Sequence, residues 1–520
     1  MSNIKTAAKD KVPFGQKMAF GSGHFVLNLL PGALGFFMFF LLTAFGMDPL
    51  YAGILGALPR LFDALSDPIM GFISDNTKSK WGRRRPYIFI GAILSGLLFA
   101  MTWQMSPDNS QMYNFWYFLI LSILFLAGNT MYATPLVGLG YEMTSDYNER
   151  TRLMAFSNTM GQIAWMIVPW FWVIIADPQV YESQAVGVRH LSIIVGCVCV
   201  VLGILPAIFC RGIDSANMEN RKEINVKSLS SNLKDLWEGI KQVSKNKPFM
   251  KLCGATFLVF NGFQMVAAFS VYIIVFYMYN GSYADAGTWP AWFSTITAVI
   301  TAFIVIPIIS AMANKWGKRK AFIISTVISI IGYILKWWGF DNELNKEFNN
   351  TSLGESLNNG VAALFESLNP FLESMGMSWF SIDTSAGSPW LMFLPIPFIA
   401  FGLGGLFTLM MSMTADVCDL DELQNGMPRK EGTFGAIYWW MVKIGQSIAL
   451  FLGGLVLKLV GFISDAEVQT AETMHSLRVA DIVIPSVTAG IAIFIMYKYS
   501  LNETRAREIK AELVERRGEL

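Results

Sequence analysis

Apolar runs long enough to cross a bilayer, about 20 residues each, recur along the whole 520-residue chain. They lie near 21–45, 49–74, 86–105, 113–140, 154–177 and 189–210, and then near 250–279, 288–313, 319–339, 388–413, 433–463 and 478–499. A polar stretch from Arg211 to Pro248 separates the two sets. Gly and Pro inside the runs do not count against them, because neighbouring helices satisfy the freed backbone groups. The pattern predicts an all-α membrane protein of twelve transmembrane helices in two six-helix bundles. The expected parts are an N-terminal bundle at 1–210, a cytoplasmic linker at 211–248, a C-terminal bundle at 249–499 and a tail at 500–520. In the linker, Leu229, Leu233, Leu236, Trp237, Ile240 and Val243 recur at helical spacing, which predicts an amphipathic helix on the cytoplasmic face. The second bundle carries an insertion at 341–387 whose Val361, Leu364, Phe365, Leu368, Phe371 and Leu372 suit either a cap over the outer mouth or a surface helix without a gating role. The mixed-charge tail reads as a solvated helix.

Composition agrees. The chain is 53% hydrophobic and 15% charged, against about a quarter charged in a soluble protein, and a net charge of +1 leaves no electrostatic footprint for nucleic acid. Five cysteines, Cys197, Cys199, Cys210, Cys253 and Cys418, lack metal-ligand spacing and read as packing residues. Lys and Arg crowd alternate connections: Lys5 to Lys17, Lys78 to Arg85, Arg150 and Arg152, the linker, Lys315 to Lys320, Arg429 and Lys430, and the tail. That bias places both termini in the cytoplasm of a multi-pass inner-membrane protein, and the polar residues 1–18 lead into a full span with no cleavable signal expected. Lys80-Trp81-Gly82-Arg83-Arg84-Arg85 after the second run recurs as Lys315-Trp316-Gly317-Lys318-Arg319-Lys320 after the eighth, as duplication of a six-helix half requires.

The chemistry concentrates in the second run, at Arg60-Leu61-Phe62-Asp63-Ala64-Leu65-Ser66-Asp67-Pro68. Ionised groups at the centre of a spanning helix cost about 2.5–3.5 kcal/mol on insertion scales and so face a bundle interior or a watery cavity. Asp63 and Asp67, four apart, share a helical face, and their mutual repulsion is relieved by a bound cation. Pro68 cannot donate to the carbonyl of Ala64, which frees an oxygen to bend the helix or to ligate an ion. Arg60, three residues before Asp63, leaves a second reading open: an ion pair that only braces helices.

Four stretches resemble the glycoside-pentoside-hexuronide:cation symporters, the melibiose permease branch of the major facilitator superfamily. They are Phe20-Gly21-Ser22-Gly23; Asp63 to Gly71 with Asp75 and Trp81 to Pro86; Pro135 to Glu142 with Asp146 and Glu149 to Arg152; and Ala415 to Asp419 with Val442-Lys443-Ile444-Gly445. The similarity covers nearly all of the chain except 341–387, and the span-two motif is specific. It implies that Asp63 and Asp67 bind Na⁺, Li⁺ or H⁺ beside the Thr130 hydroxyl, and that Lys443 faces the cation site, where a lysine serves as a movable counter-charge. Arg60 and Lys443 are the expected coupling residues. The sugar-gripping groups of melibiose permease are absent: its span-one aspartate and lysine fall at Asn28 and Leu27, its span-four aspartate and tryptophan at Ala133 and Val137, and a span-five arginine at Asn158. With one carboxylate of three missing, H⁺ competes with Na⁺.

Candidate cargo contacts are His24, Asn28, Tyr132, Asn158, Gln162, Gln264, Tyr438 and Trp439. Amides offer sugar hydroxyls both donors and acceptors, aromatic faces can stack on a pyranose, and any one of these groups suits an interhelical hydrogen bond equally well. Trp165, Trp170 and Trp172 read as interface or lipid-facing aromatics. The expectation is a monomeric secondary active transporter, without cofactor, that symports a sugar or glycoside, uronates included, with Na⁺ or H⁺ by alternating access. A cation-coupled lysophospholipid carrier is the alternative, since eukaryotic relatives of this branch carry such cargo and Ala133 and Val137 leave an apolar wall. A membrane-embedded enzyme is disfavoured: the chain has no His-Glu-x-x-His, no Cys-x-x-Cys and no phosphate-cradling loop.

Overall fold

The structure, a computed structural model, describes residues 11–144, 147–177, 180–211, 224–374, 380–382, 387–425, 431–464 and 466–517. Lys5, Lys9, Asp146, Arg429, Lys430 and parts of the linker and insertion lie outside these residues. Among the described residues every regular element is helical, and the chain separates into two compact units, Met1–Asp235 and Leu236–Leu520.

In the first unit α1 (Phe14–Thr43), α2 (Pro49–Asn76), α3 (Arg85–Thr102) and α4 (Gln111–Glu142) follow in order. Then α5 (Tyr147–Ile167) runs through a 3-10 turn, Val168–Trp170, into α6 (Phe171–Ala176), and α7 (Gln184–Phe209) closes the set. Starts are written in the sequence: Asp48 accepts from the Leu50 N–H ahead of Pro49, Ser110 from Tyr113 and Ser183 from Val186. Helix α3 packs on α4 and α7, the latter at backbone contact, because a Cβ on Gly96 would lie 2.6 Å from the Gly196 carbonyl oxygen. Pro169 supplies no N–H where α5 breaks. There the structure corrects one expectation: Trp170 and Trp172 are buried, not lipid-facing, and the Trp172 ring lies 5.4 Å from Phe39 and 5.9 Å from Phe40.

The boundary between units falls within α8 (Val226–Val243), which forms where the linker periodicity predicts it. The second unit continues with α9 (Lys247–Tyr272) and a π turn Ile273–Met278, α10 (Tyr283–Ala286), α11 (Trp289–Ile300), a π stretch Thr301–Val305 and α12 (Ile306–Trp316). Next come α13 (Lys318–Gly339), α14 (Asn342–Asn349), α15 (Ser352–Ser374), a 3-10 turn Trp390–Phe393, α16 (Ile396–Asn425), α17 (Glu431–Leu459), α18 (Ala471–Tyr497) and α19 (Glu503–Arg517). Close packing of α16 on α13 uses Gly402 and Gly405, where a Cβ would lie 3.0 Å from Ser329 Cβ and 2.5 Å from Ser325 Oγ. The tail differs from a solvated helix: Ile509 and Leu513, one turn apart on α19, are buried in the core of this unit.

Eleven helical segments among the described residues are long and apolar enough to span a membrane. The twelfth expected span, α2, has 28 residues but falls short in apolar character because Arg60, Asp63, Asp67 and Asp75 interrupt it. Several helices overrun their apolar runs, since polar residues at a membrane surface do not end a helix: α1 starts at Phe14 and α16 reaches Asn425. The six-residue echo has a structural counterpart. Gly82 and Gly317 share a left-handed φ, +85° and +84°, that only glycine adopts without strain. Arg83 pairs with Glu142 at the end of α4, as Lys318 pairs with Asp416 at 2.7 Å on α16.

One ion cluster ties the chain entry to α5. Glu149, buried and outside the spans, accepts from the Val12 N–H at 3.1 Å, pairs with Lys17 at 2.6 Å and approaches Arg152 at 3.4 Å. Burial opposes its charge, but the Lys17 and Val12 hydrogen bonds, the Lys17 charge and Arg152 outweigh it and hold the carboxyl below its ordinary 4.5. A depressed folded value means that the stability it lends is present above about 4.5 and lost as pH falls through the folded value. Glu149→Gln should therefore lower the unfolding temperature at pH 7 by a few degrees. It should also flatten the acid side of the stability profile, measured by thermal unfolding in detergent from pH 7 to pH 3.

Candidate cation and substrate site

The span-two acids sit on α2 away from its exposed apolar face. Leu61, Phe62 and Leu65 are exposed, whereas Asp63, Ser66 and Asp67 are half-buried on the side that packs on α4. There the Thr130 hydroxyl, fully buried on α4, donates to Asp63 Oδ1 at 2.6 Å. Its proton thus committed, Thr130 Oγ1 accepts from the Ser66 hydroxyl at 3.1 Å, which also lies 2.9 Å from the Asp63 carbonyl oxygen. The constellation thus presents Asp63 beside two hydroxyl oxygens. Arg60, one turn earlier, stands in the field of Asp63 and lies over Gly35 of α1, its Nη2 3.7 Å from where a side chain would begin. Sequence reasoning assigned Thr130 but passed over Ser66, although its position three after Asp63 on the same helix was the signal. Asp63, Ser66 and Thr130 bring together a carboxylate and two hydroxyls, oxygen donors of the kind that hard cations take, with Asp67 one turn further along α2.

The cargo candidates divide by burial. On α1, Asn28 Nδ2 donates to the His24 carbonyl at 2.8 Å and its Oδ1 accepts from Trp165 Nε1 of α5 at 3.1 Å, over Gly161, where a Cβ would lie 2.6 Å from Asn28 Nδ2. His24 packs on Phe20 at 4.7 Å and its buried Nε2 has no partner among the described residues. Asn158, Gln162 and Trp165 share one exposed face of α5. The first unit therefore carries a polar band of amides with an indole face, and Trp165 belongs to it as well as to the surface. Tyr132 is different: it is fully buried and its hydroxyl donates to the Gly23 carbonyl at 3.0 Å, bracing α4 to α1.

In the second unit Tyr438 is likewise in the core, its ring 5.8 Å from that of Trp439, which is exposed on α17. Lys443 follows one turn later, half-buried, with its carbonyl accepting from Ser447 at 3.1 Å. Gln264 is half-buried on α9. Among the described residues no group of three or more His, Cys, Asp or Glu gathers as a metal site.

Residues 19–503 match the family described as MFS/sugar transport protein. Among curated proteins, the isoprimeverose transporter of Lactiplantibacillus pentosus is 20% identical over 95% of this chain and 90% of its own. The glucuronide carrier protein homolog of Escherichia coli is 22% identical over 91% and 89%. Among solved structures, a bacterial homolog of the human lysosomal transporter Spinster, inward-facing and unoccupied, aligns at a TM-score of 0.62 and 13% identity, covering 93% of this chain and 97% of that one. At that identity the likeness shows the fold, that of the major facilitator superfamily.

Proposed function

The chain belongs to the MFS/sugar transport protein family, and we propose that it is a secondary active transporter in which Asp63 and Asp67 bind a monovalent cation and thereby drive symport of a sugar or glycoside. The observation that carries this is the Asp63–Thr130–Ser66 constellation: charged oxygens in a spanning helix, turned from its exposed face and held by hydroxyls. Such a site is expensive to keep without an ion to bind. Arg60, one turn before Asp63 on the same helix, serves as a counter-charge that competes with the cation, which links its occupancy to the alternating states, and Lys443 is the candidate coupling residue of the second unit. Asn28, Asn158, Gln162 and Trp165 of the first unit supply hydrogen bonds and a stacking face for the cargo, and Gln264 and Trp439 are the corresponding candidates of the second. The distribution of Lys and Arg supports cytoplasmic termini in the inner membrane.

The relatives' names support glycosides and glucuronides as the cargo class, and a cationic Arg60 or Lys443 tolerates a uronate carboxylate. Uptake of labelled monosaccharides, disaccharides, glucuronides and lysophosphatidylcholine into proteoliposomes, each under an imposed Na⁺, Li⁺ or pH gradient, tests the reading. One glycoside class should accumulate, saturably, under one of these gradients. Accumulation of lysolipid alone would move the cargo to amphiphiles, and no gradient-driven uptake of any of them would end the proposal.

A further inference from the structure

The insertion after α13 forms a helix whose faces are sorted into three arcs. On α15, Leu353, Leu357, Leu364, Leu368 and Phe371 are between 37% and 61% exposed, and at 3.6 residues per turn they fall within about 60° of arc. Gly354, Phe365 and Leu372, buried, form the adjoining arc that meets the rest of the unit. Glu355, Glu366 and Glu373 share a third arc about 200° from Leu353, opposite the apolar stripe. The helix has no Lys or Arg.

The anchoring of this helix fixes its level. Asn345 of α14 donates to the carbonyl of Gly339, the last residue of α13, at 3.0 Å. Phe365 lies 6.1 Å from Trp292, near the start of α11, and Asn358 Oδ1 accepts from Trp390 Nε1 at 2.7 Å, just before α16. Trp390 in turn meets Trp289 edge-on at 5.4 Å. The helix is therefore fastened where three spans end or begin, through the half-buried Trp292 and Trp390, tryptophans of the kind that gather at a membrane interface, while Trp289 behind them is buried in the unit. We propose that α15 lies in the headgroup layer of the bilayer, with the Leu353–Phe371 stripe inserted among lipid chains and the glutamate row turned to water. A stripe of this length facing solvent is an unsatisfied apolar patch, and the acid row excludes the opposite roll of the helix. With no basic residue on α15, burial of apolar area alone drives the contact, so it is indifferent to lipid charge and to salt. Neither the cargo nor the coupling ion enters this inference.

The test uses full-length protein in phosphatidylcholine nanodiscs with Cys197 replaced by Ser, the four other thiols being buried. Spin labels at Leu364→Cys, at Leu357→Cys as a second stripe position and at Glu366→Cys report collision with oxygen, which concentrates in lipid, and with a water-soluble nickel chelate. Both stripe positions should favour oxygen several-fold, unchanged by added phosphatidylglycerol or 0.5 M salt, while the glutamate position favours nickel. Nickel access at both stripe positions, shielding from both reagents, or dipolar broadening between labels of two copies would overturn the inference.

Discussion

Asp63→Asn and Asp67→Asn should each abolish cation-driven accumulation of cargo in proteoliposomes while leaving the protein folded and able to equilibrate its cargo down a gradient. Asn keeps the volume and the hydrogen-bonding edge of Asp, so Thr130 retains a partner at position 63 and α2 keeps its packing on α4. What is lost is one of two negative charges, and with it the cation's preference for the loaded state. A coupling free energy of roughly 1–3 kcal/mol corresponds to a 5–150-fold change in cargo affinity brought about by the cation, and either variant should lose that linkage. Thr130→Val should give a smaller defect, since it removes one hydrogen bond to Asp63 and leaves both carboxyl groups in place, and Thr130→Ser should restore it. If both Asn variants accumulate cargo against a gradient as the parent does, the acids are a brace and the engine lies elsewhere.

The acids were legible in the sequence because charge inside an apolar run is costly wherever it points; no contact had to be foreseen to single out Asp63 and Asp67. Their surroundings were harder to read. Thr130 came only through family resemblance, since a hydroxyl in a span has no cost that marks it, and Ser66 hid inside a motif already explained by its acids. Tyr132 and Asn158 looked equivalent on paper, yet one is a buried brace to Gly23 and the other is exposed on α5, a difference set by which face of each helix meets its neighbours. The span pattern held well because hydropathy over 20 or so residues is a local property. It misjudged Trp170 and Trp172 because a tryptophan near a span end suits an interface, and only packing against Phe39 and Phe40 shows otherwise. The tail was misread for a similar reason: two apolar residues among many charges, Ile509 and Leu513, suffice to dock one face of α19.

The second large effect lies at a site the sequence reading passed over: Lys336 near the end of α13 and Asp481 within α18 are charges inside apolar runs, but nothing pairs them on paper across 145 residues. They form an ion pair, 2% exposed on each side, with Lys336 Nζ also donating to Ser270 Oγ of α9 at 3.0 Å. Three spans thus meet at one buried pair. Arg478 stands one turn before Asp481, clamped between Tyr277 and Trp337 at 4.2 and 4.4 Å and donating to the Tyr277 hydroxyl at 2.6 Å. Removing one member of a buried pair strands the other charge, at a cost of about 3–5 kcal/mol, whereas replacing both with apolar groups of similar volume is often neutral or better. Lys336→Met and Asp481→Leu should each lower the unfolding temperature in detergent by ten degrees or more, and the double variant should recover most of that loss. Asp481 Oδ1 has no hydrogen-bond partner among the described residues, so Lys336 is the direct partner of the carboxylate, with the Arg478 charge acting from one turn away, and the loss on Lys336→Met should equal or exceed that on Asp481→Leu. Uptake then separates structure from mechanism: a brace predicts that the double variant still couples cargo to its cation, because the proposed coupling acids sit on α2. Recovery of stability with loss of cation-driven accumulation would instead place Lys336 and Asp481 on the ion's path.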